Sequence, residues 1–235
     1  MAYTSYFASI EANPNPAMTT FEKIPRATLV HITDVHHERN MYAHPNPVAR
    51  AIFWQRLAQG MALLTRHAPA SAKVLDFGGG SGAFLPSLAG RFADVSVIDM
   101  DLNDARRVAA HYALGNVRLH ECDVTRWHSG ESYDVVVAMD VLEHFSDKSV
   151  PQQFLENHLR RDGLLLMSLP TENAIYELGR TVLRKTKPAD HYHPASALGR
   201  YYRDHGYTLL SSRYVPRVGP FAVPLFYIGL FRKTI

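Results

Sequence analysis

The sequence predicts an α/β protein with a doubly wound, seven-stranded sheet that is mainly parallel and closes in an antiparallel C-terminal hairpin. Two observations support this prediction. From residue 73 onward, short apolar runs alternate with helical segments, which is typical of a parallel sheet with helices on both faces. The tail holds two strand-like runs, 208–216 and 224–231, separated by too few residues for a crossover helix, so they should pair antiparallel.

The elements follow in order from a predicted N-terminal helical cap. An amphipathic helix runs from Val48 to about His67, with apolar residues at helical spacing. The candidate strands after it are KVLDF, VSVID, VRLHE, YDVVVAM and LLLMSL, and the candidate helices lie near 82–91, 102–114, 148–160 and 194–206. We therefore divide the chain into a cap with its lead-in helix, 1–70, and a core, 71–235, with an acceptor-side insertion at about 171–195.

Composition limits the classes of function. The chain has 235 residues, of which 46% are hydrophobic and 20% charged, which suits one compact domain with an ample core. Its net charge of +3 is not gathered in a dense basic run, so nucleic acid is not an expected partner. The single cysteine, Cys122, excludes an internal disulfide and fits a reducing compartment. The N-terminus does not resemble a signal peptide, and we expect a cytoplasmic protein.

A glycine-rich turn after the first strand marks the expected cofactor site. The strand runs into Gly78, Gly80 and Gly82, which suit a tight turn that a ligand approaches closely, because glycine has no Cβ. Ser81 stands where it could cap the next helix. The spacing also satisfies the dinucleotide pattern, so an NAD-binding oxidoreductase is an alternative. Asp76 argues against it, because a carboxylate would repel a pyrophosphate but hold an ammonium such as that of S-adenosylmethionine.

Acidic residues also end the second and third strands. Asp99 follows the first glycine by about 20 positions, the spacing expected for a carboxylate that accepts ribose hydroxyls. Asp101 is the alternative, and Met100 would lie against the adenine. After the third strand, Asp123 could accept from the adenine amino group while the Val124 N–H donates to the ring. A loop aspartate that caps a turn is the alternative for Asp123.

The ordered motifs LDFGGGSG, VIDMD, ECDV and YDVVVAMDVLEHF, within about residues 72–170, resemble those of class I S-adenosylmethionine-dependent methyltransferases. The resemblance implies S-adenosylmethionine as cofactor and methyl transfer as reaction. The strand ending SLP lacks the Asn-Pro-Pro-Tyr signature of many enzymes that methylate amino groups of DNA or protein. MDVLEHF, the insertion and its basic helix resemble small-molecule O-methyltransferases of ubiquinone biosynthesis. We expect a small-molecule acceptor methylated at oxygen; a non-catalytic S-adenosylmethionine-binding partner protein is an alternative.

Histidines are the candidate bases, because a hydroxyl acceptor must lose a proton. His191 and His193 follow the last parallel strand, and their alternate spacing puts them on one side of an extended segment. A solvated loop is the alternative for both. Before them, a helical pattern over 171–187 has basic residues in its second half. It suggests either peripheral contact with an anionic membrane through 175–187 or an ordinary lid.

A divalent metal is a further hypothesis at the end of the fourth strand. Asp140, Glu143 and His144 are spaced to share one face of a helical turn, if the helix starts by Met139. The resemblance to quinone O-methyltransferases implies the same, since some of them use a metal at an E-x-x-E-H pattern, although the first acid here is aspartate. A structural role is the favoured alternative, because acids stabilise a helix N-terminus.

Overall fold

The structure is a computed structural model that describes residues 21–33, 41–172, 192–218 and 220–235. Its helices are α1 (Arg26–Ile32), α2 (Pro47–His67), α3 (Leu85–Arg91), α4 (Asn103–His111), α5 (Ser149–His158) and α6 (Ala195–Asp204). Its strands are β1 (Lys73–Phe77), β2 (Asp94–Asp99), β3 (Val117–Glu121), β4 (Tyr133–Met139), β5 (Leu159–Pro170), β6 (Tyr207–Val218) and β7 (Phe221–Lys233). A short 3-10 helix, Leu142–His144, follows β4.

One seven-stranded sheet in the order β3-β2-β1-β4-β5-β7-β6 organises the fold. The strands from β3 to β5 pair in parallel, whereas β7 pairs antiparallel with both β5 and β6. The predicted fold class, including the closing hairpin, is therefore confirmed. The strand order reverses between β1 and β4, and in open α/β sheets ligands bind in the crevice at the carboxyl ends of such strands.

The central strands are buried on both faces, as their nearly continuous apolar character indicates. On β4, Val137 packs into a core cluster that includes residues of α2, α3 and α4. Its neighbour Val136 packs into a second cluster with residues of α5 and α6. Because successive side chains of a strand point to opposite faces, helices cover the sheet on both sides.

Helix α2 lies close against the middle of the sheet. Its N-terminus is capped by Asn46, whose side chain accepts from the N–H groups of Val48 and Ala49. Gly60 faces the strands, and a Cβ at this position would lie 3.1 Å from Leu166 Cδ2 on β5. The missing side chain lets the helix approach the carboxyl half of the sheet.

Helix α3 begins later than predicted, and the assignment of Ser81 as its N-cap is wrong. The Ser81 hydroxyl accepts from the Ala83 N–H at 3.3 Å and so closes a turn, while the helix starts at Leu85. The turn continues to this point because Gly82 has a φ of +66°, and a Cβ there would lie 2.7 Å from Ala105 Cα of α4. Close contact with α4 therefore sets the path of the chain before α3.

Candidate cofactor and acceptor sites

The glycine turn lies where the strand order reverses. Gly78 has a φ of +81°, a conformation that residues with a side chain rarely adopt, and its N–H donates to the Ile98 carbonyl at 2.9 Å. A Cβ on Gly78 would lie 2.7 Å from Val141 Cγ2, and one on Gly79 would lie 2.5 Å from Asp76 Oδ2. Neither position has room for a side chain, so the turn depends on glycine.

Asp99 connects the end of β2 to this turn. Its Oδ2 accepts from the Gly80 N–H at 2.9 Å, and its Oδ1 accepts from the Asp101 N–H at 3.2 Å. Asp101 instead accepts from the Asn103 N–H, at the start of α4. Met100 is 75% exposed beside them. The structure thus brings Asp99 to the glycine turn, which supports Asp99 over Asp101 as the ribose ligand.

Asp76 is buried beneath the turn. Its burial, and after it the negative charge of Asp99, raise the pKa of Asp76 to about 7. A cationic group bound at the turn would favour the ionised form of Asp76 and lower this pKa. Two neighbouring acids, one of them desolvated, therefore make this site suited to a ligand that carries a positive charge.

Asp123 ends β3 in a turn of its own. Its Oδ1 accepts from both the N–H and the hydroxyl of Thr125, at 2.9 and 2.8 Å, and the backbone hydrogen bond above all holds the pKa of Asp123 below its usual range. Val124 packs against the second core cluster, and the Cys122 N–H donates to the Asp99 carbonyl at 3.0 Å. This geometry matches the turn-capping alternative at Oδ1, and the adenine contact stays a prediction.

An ion pair that was not predicted holds the end of β4. Asp140 has a φ of +59°, its N–H donates to the Ser168 carbonyl at 2.9 Å, and its carboxylate pairs with Arg56 of α2. The Ser168 hydroxyl lies 3.4 Å from Asp140 Oδ1. The Arg56 guanidinium lies over the rings of Phe53 and Phe226, 4.3 and 4.5 Å from their centroids. Contacts from α2 and β5 therefore fix Asp140, and the ring of Phe226 on β7 helps to hold Arg56.

Arg56 had a signal in the sequence. It lies four residues after Ile52 and four before Gly60, on the face of α2 that the helical period assigns to the core, and it is 1% exposed. A buried arginine requires an anionic or hydrogen-bonding partner. Besides Asp140, its Nη2 donates to the Tyr42 hydroxyl at 3.3 Å. A charged residue on an apolar helix face was thus the available clue.

The family model of the methyltransferase domain matches residues 49–212. The chain belongs to this family. The match starts inside α2 and includes the glycine turn, Asp76, Asp99 and the Arg56–Asp140 pair. The prediction of a class I S-adenosylmethionine-dependent methyltransferase is confirmed, and with it S-adenosylmethionine as cofactor. The family match favours this prediction over the NAD-binding alternative.

Individual proteins are similar to parts of the chain or to its fold. The ubiquinone biosynthesis O-methyltransferase of Glaesserella parasuis serovar 5 is 38% identical over 106 residues, which are 41% of this chain and 44% of that protein. The chain spans about half the length, or less, of the curated relatives it matches.

Solved structures share the fold at low identity. The N-methyltransferase NodS from Bradyrhizobium japonicum WM9 in complex with S-adenosylhomocysteine has a TM-score of 0.60 at 17% identity, over 88% of this chain and 97% of that one. Magnesium protoporphyrin IX methyltransferase from Synechocystis PCC 6803, with bound S-adenosylhomocysteine, has a TM-score of 0.62 at 18% identity, over 83% and 92%. These likenesses confirm the architecture of the methyltransferase domain.

The conformation of the loop after β4 differs from the helical turn that the metal hypothesis requires. A helical turn starting by Met139 is wrong, because Asp140 adopts a positive φ and the short 3-10 helix begins only at Leu142. Within the described ranges, no group of three or more His, Cys, Asp or Glu residues is arranged to hold a metal ion. Asp140, Glu143 and His144 therefore do not form a three-ligand site here.

The acceptor-side histidines are described only in part. His191 lies outside the described residues, as does the segment 175–187 for which membrane contact is predicted. His193 is described, and its Nε2 lies 3.1 Å from the carbonyl oxygen of Ser146, which places it beside the loop after β4. The roles of both histidines stay predictions. None of the helices that the structure describes combines the length and the apolar character needed to cross a membrane.

Proposed function

We propose that the chain transfers the methyl group of S-adenosylmethionine to a hydroxyl group of a small molecule. The observation that carries the proposal is the convergence of the glycine turn with Asp76 and Asp99, joined by the hydrogen bond from the Gly80 N–H to Asp99. The choice of oxygen is supported by the matched curated relatives, which are O-methyltransferases by name. It is also supported by the MDVLEHF motif.

The two acids have separate roles in the proposed cofactor site. Asp99 lies at the turn with both carboxylate oxygens facing backbone N–H groups, so it is held in place to accept the ribose hydroxyls. Asp76 is buried below, where its ionised form would hold the ammonium of the amino-acid part. In this proposal, Met100 and the turn at Asp123 would flank the adenine. This assignment explains why two repelling acids lie so close together.

Methyl transfer to oxygen is an in-line displacement in the proposed reaction. A lone pair of the acceptor oxygen forms the new bond to the methyl carbon, while the carbon–sulfur bond breaks and its electron pair stays on sulfur. The product is the neutral thioether S-adenosylhomocysteine, and the hydroxyl proton passes to a base. Because the sulfonium is already activated, the chain has to supply proximity, orientation and this base. His191 and His193 are the proposed bases.

Two measurements test the proposed function. Isothermal titration should detect binding of S-adenosylhomocysteine and no binding of NAD. Turnover is then followed as release of S-adenosylhomocysteine from S-adenosylmethionine with a panel of phenols, sugars and quinone precursors. We expect turnover of a hydroxylated member of the panel. Binding without any turnover across the panel would favour the alternative of a non-catalytic partner protein.

We also propose a cytoplasmic location, which the single cysteine, Cys122, supports because it fits a reducing compartment.

A peripheral contact of residues 175–187 with anionic membrane is a further proposal. It is supported by the charge pattern of that segment, in which Arg184 and Lys185 belong to a basic C-terminal half. Each basic residue near an anionic surface contributes about 1 kcal/mol to binding. Vesicles rich in anionic lipid should therefore sediment the wild-type chain at low salt but not the variant with Arg184→Glu and Lys185→Glu. If the wild-type chain stays in the supernatant, the membrane contact is wrong and the alternative of an ordinary lid is favoured.

A further inference from the structure

The crevice between β1 and β4 contains an acid that the cofactor motifs do not use. Asp140 follows β4 directly, and the next residue, Val141, packs on the glycine turn, since a Cβ on Gly78 would lie 2.7 Å from its Cγ2. Asp140 is therefore next to the proposed cofactor site. Its side chain is 21% exposed, whereas that of Arg56 is 1% exposed. The pair thus keeps its cation buried and leaves its carboxylate partly exposed.

The contacts of Asp140 hold it in one position. Arg56 pairs with its carboxylate, the Ser168 hydroxyl lies 3.4 Å from Oδ1, and its own N–H donates to the Ser168 carbonyl. Arg56 is itself held over two aromatic rings and by the Tyr42 hydroxyl. An ionised carboxylate held in this way can accept hydrogen bonds but cannot donate them.

Stability alone is a weak reason for this pair. Burying a guanidinium costs free energy, and replacing a buried ion pair by apolar residues is often neutral or stabilising. Arg56 Nε is buried and makes no hydrogen bond within the part of the chain that the structure describes. The desolvation of Arg56 is thus incompletely compensated. An arrangement that is costly to the fold, at the edge where ligands bind, is typical of a functional site.

We propose that Asp140 accepts a hydrogen bond from the group that is methylated, and that Arg56 is its positioning residue. This inference rests on the proposed function and deepens it by naming the residue that binds and orients the methyl acceptor. The acceptor presents its nucleophilic atom with a proton attached, as a hydroxyl or an amine does and a thiolate or carbanion does not. Asp140 orients that atom toward the methyl carbon.

The test uses sinefungin, an S-adenosylmethionine analogue with a CH–NH2 group in place of the sulfonium S–CH3. Its amino group, protonated at neutral pH, projects where the transferred methyl group would lie. A carboxylate at the acceptor position should hold this ammonium, whereas S-adenosylhomocysteine has nothing at that place. The ratio of the two affinities, measured by isothermal titration, therefore reports on Asp140 without any acceptor being known.

The first variant is Asp140→Asn, because asparagine tolerates the positive φ of this position. We expect sinefungin to bind the variant about tenfold more weakly or worse than wild type, since a charge-assisted hydrogen bond is lost, with the affinity for S-adenosylhomocysteine unchanged. An unchanged ratio, or equal weakening of both ligands, would overturn the inference. If wild type does not bind S-adenosylhomocysteine at all, the proposed function fails and the inference with it.

The chain offers a matched control at the other end of the same strand. Asp134, near the start of β4, pairs with Arg160 of β5, and its side chain is 19% exposed, close to the 21% of Asp140. Asp134→Asn should leave both affinities at wild-type values. An equal loss of sinefungin binding in this control would show that the effect at Asp140 is a general consequence of a weakened strand, against the inference.

A second variant tests the positioning role and stands on its own if Asp140→Asn does not fold. Arg56→Lys keeps a cation near Asp140 but removes the planar group that pairs with the carboxylate and lies over the rings. We expect the preference for sinefungin over S-adenosylhomocysteine to fall by a few fold, with the second affinity unchanged. A preference equal to that of wild type would overturn the role of Arg56.

Discussion

The proposed cofactor half of the ligand edge, around the glycine turn, and its proposed acceptor half, around Asp140, are built in different ways. In the cofactor half, the hydrogen bond from Gly80 to Asp99 joins residues 19 apart, and its donor is a backbone N–H. In the acceptor half, Arg56 and Asp140 are 84 residues apart and meet through their side chains. The first half therefore leaves a local pattern of glycines and acids in the sequence. The second half depends on how α2 packs against the sheet.

The two halves also differ in charge balance. Asp76 and Asp99 repel each other, and this repulsion contributes to the raised pKa of Asp76. Asp140 already has a cation at hydrogen-bond distance. Before any ligand binds, the cofactor half therefore has an excess of negative charge, whereas the acceptor half has its main charge compensated. Binding at the first half should respond strongly to charge and pH, and binding at the second should depend on geometry.

The largest effect is expected from Asp99→Ala. The variant loses a carboxylate that would accept two ribose hydroxyls, each hydrogen bond to a charged group being worth about 1.5–3 kcal/mol. Affinity for S-adenosylhomocysteine should fall about a hundredfold or more by isothermal titration. Asp101→Ala is the matched control, two residues along the chain, and should change the affinity little. Equal affinity in Asp99→Ala and wild type would remove Asp99 from the site.

A comparable loss, confined to turnover, is expected from His191→Ala. If His191 is the base, turnover of a hydroxyl acceptor should fall about a hundredfold, the lower end of what general base catalysis contributes. Affinity for S-adenosylhomocysteine should not change, because the proposed role of His191 is to take a proton from the acceptor and not to bind the cofactor. The pH–rate profile should also lose its acidic limb. His193→Ala is the comparison, and undiminished turnover in both variants would exclude a histidine base at these positions.

A smaller, roughly tenfold effect is expected from pH. The pKa of Asp76 is about 7, so most molecules have a protonated Asp76 at pH 6 and an ionised one at pH 8. Because the ligand ammonium binds the ionised form, affinity for S-adenosylhomocysteine should rise about tenfold between these values. Asp76→Asn should bind more weakly and should show no such rise. A wild-type affinity that stays flat from pH 6 to pH 8 would contradict a role for Asp76.

The same pKa gives the opposite trend for stability. A carboxyl group whose pKa is raised by folding binds its proton more tightly in the folded state. At low pH this contributes to the free energy of unfolding, and the contribution is lost as pH rises through the pKa of the folded state. Stability of the ligand-free protein should therefore decline from about pH 4 to about pH 7, as far as Asp76 determines it. The midpoint of urea unfolding should change less with pH across this range in Asp76→Asn than in wild type.

The smallest effect is expected from chelation. A divalent ion at Asp140 would have to displace the Arg56 guanidinium that already pairs with its carboxylate. Exhaustive treatment with a chelator should therefore leave turnover and cofactor affinity unchanged. Loss of turnover that is restored by added divalent ion, and that no longer can be restored in Glu143→Ala, would instead show that a metal replaces Arg56 in the working enzyme.

Features encoded locally were the ones that could be predicted from the sequence. The strands have continuous apolar runs, and Asp99 lies at a fixed spacing after the glycine turn. The start of α3 could not be predicted, because Ser81 has the composition of a helix cap and its use in a turn depends on the contact of Gly82 with α4. The pairing of Arg56 with Asp140 could not be predicted either, because it requires the packing of α2 on β4 and β5.

The close contact at Gly60 should limit how α2 and the sheet change in sequence among related proteins. A Cβ at position 60 would lie 3.1 Å from Leu166 Cδ2 and 3.5 Å from Met139 Cε, so an alanine there requires the Leu166 side chain to shift, and a bulkier residue should require smaller ones on β4 or β5. One turn earlier on the same helix, Arg56 and Asp140 also depend on each other, through their ion pair. Substitutions in α2 should therefore become fixed together with substitutions in the sheet. Exchanging α2 between relatives without the matching strand residues should disrupt both contacts at once.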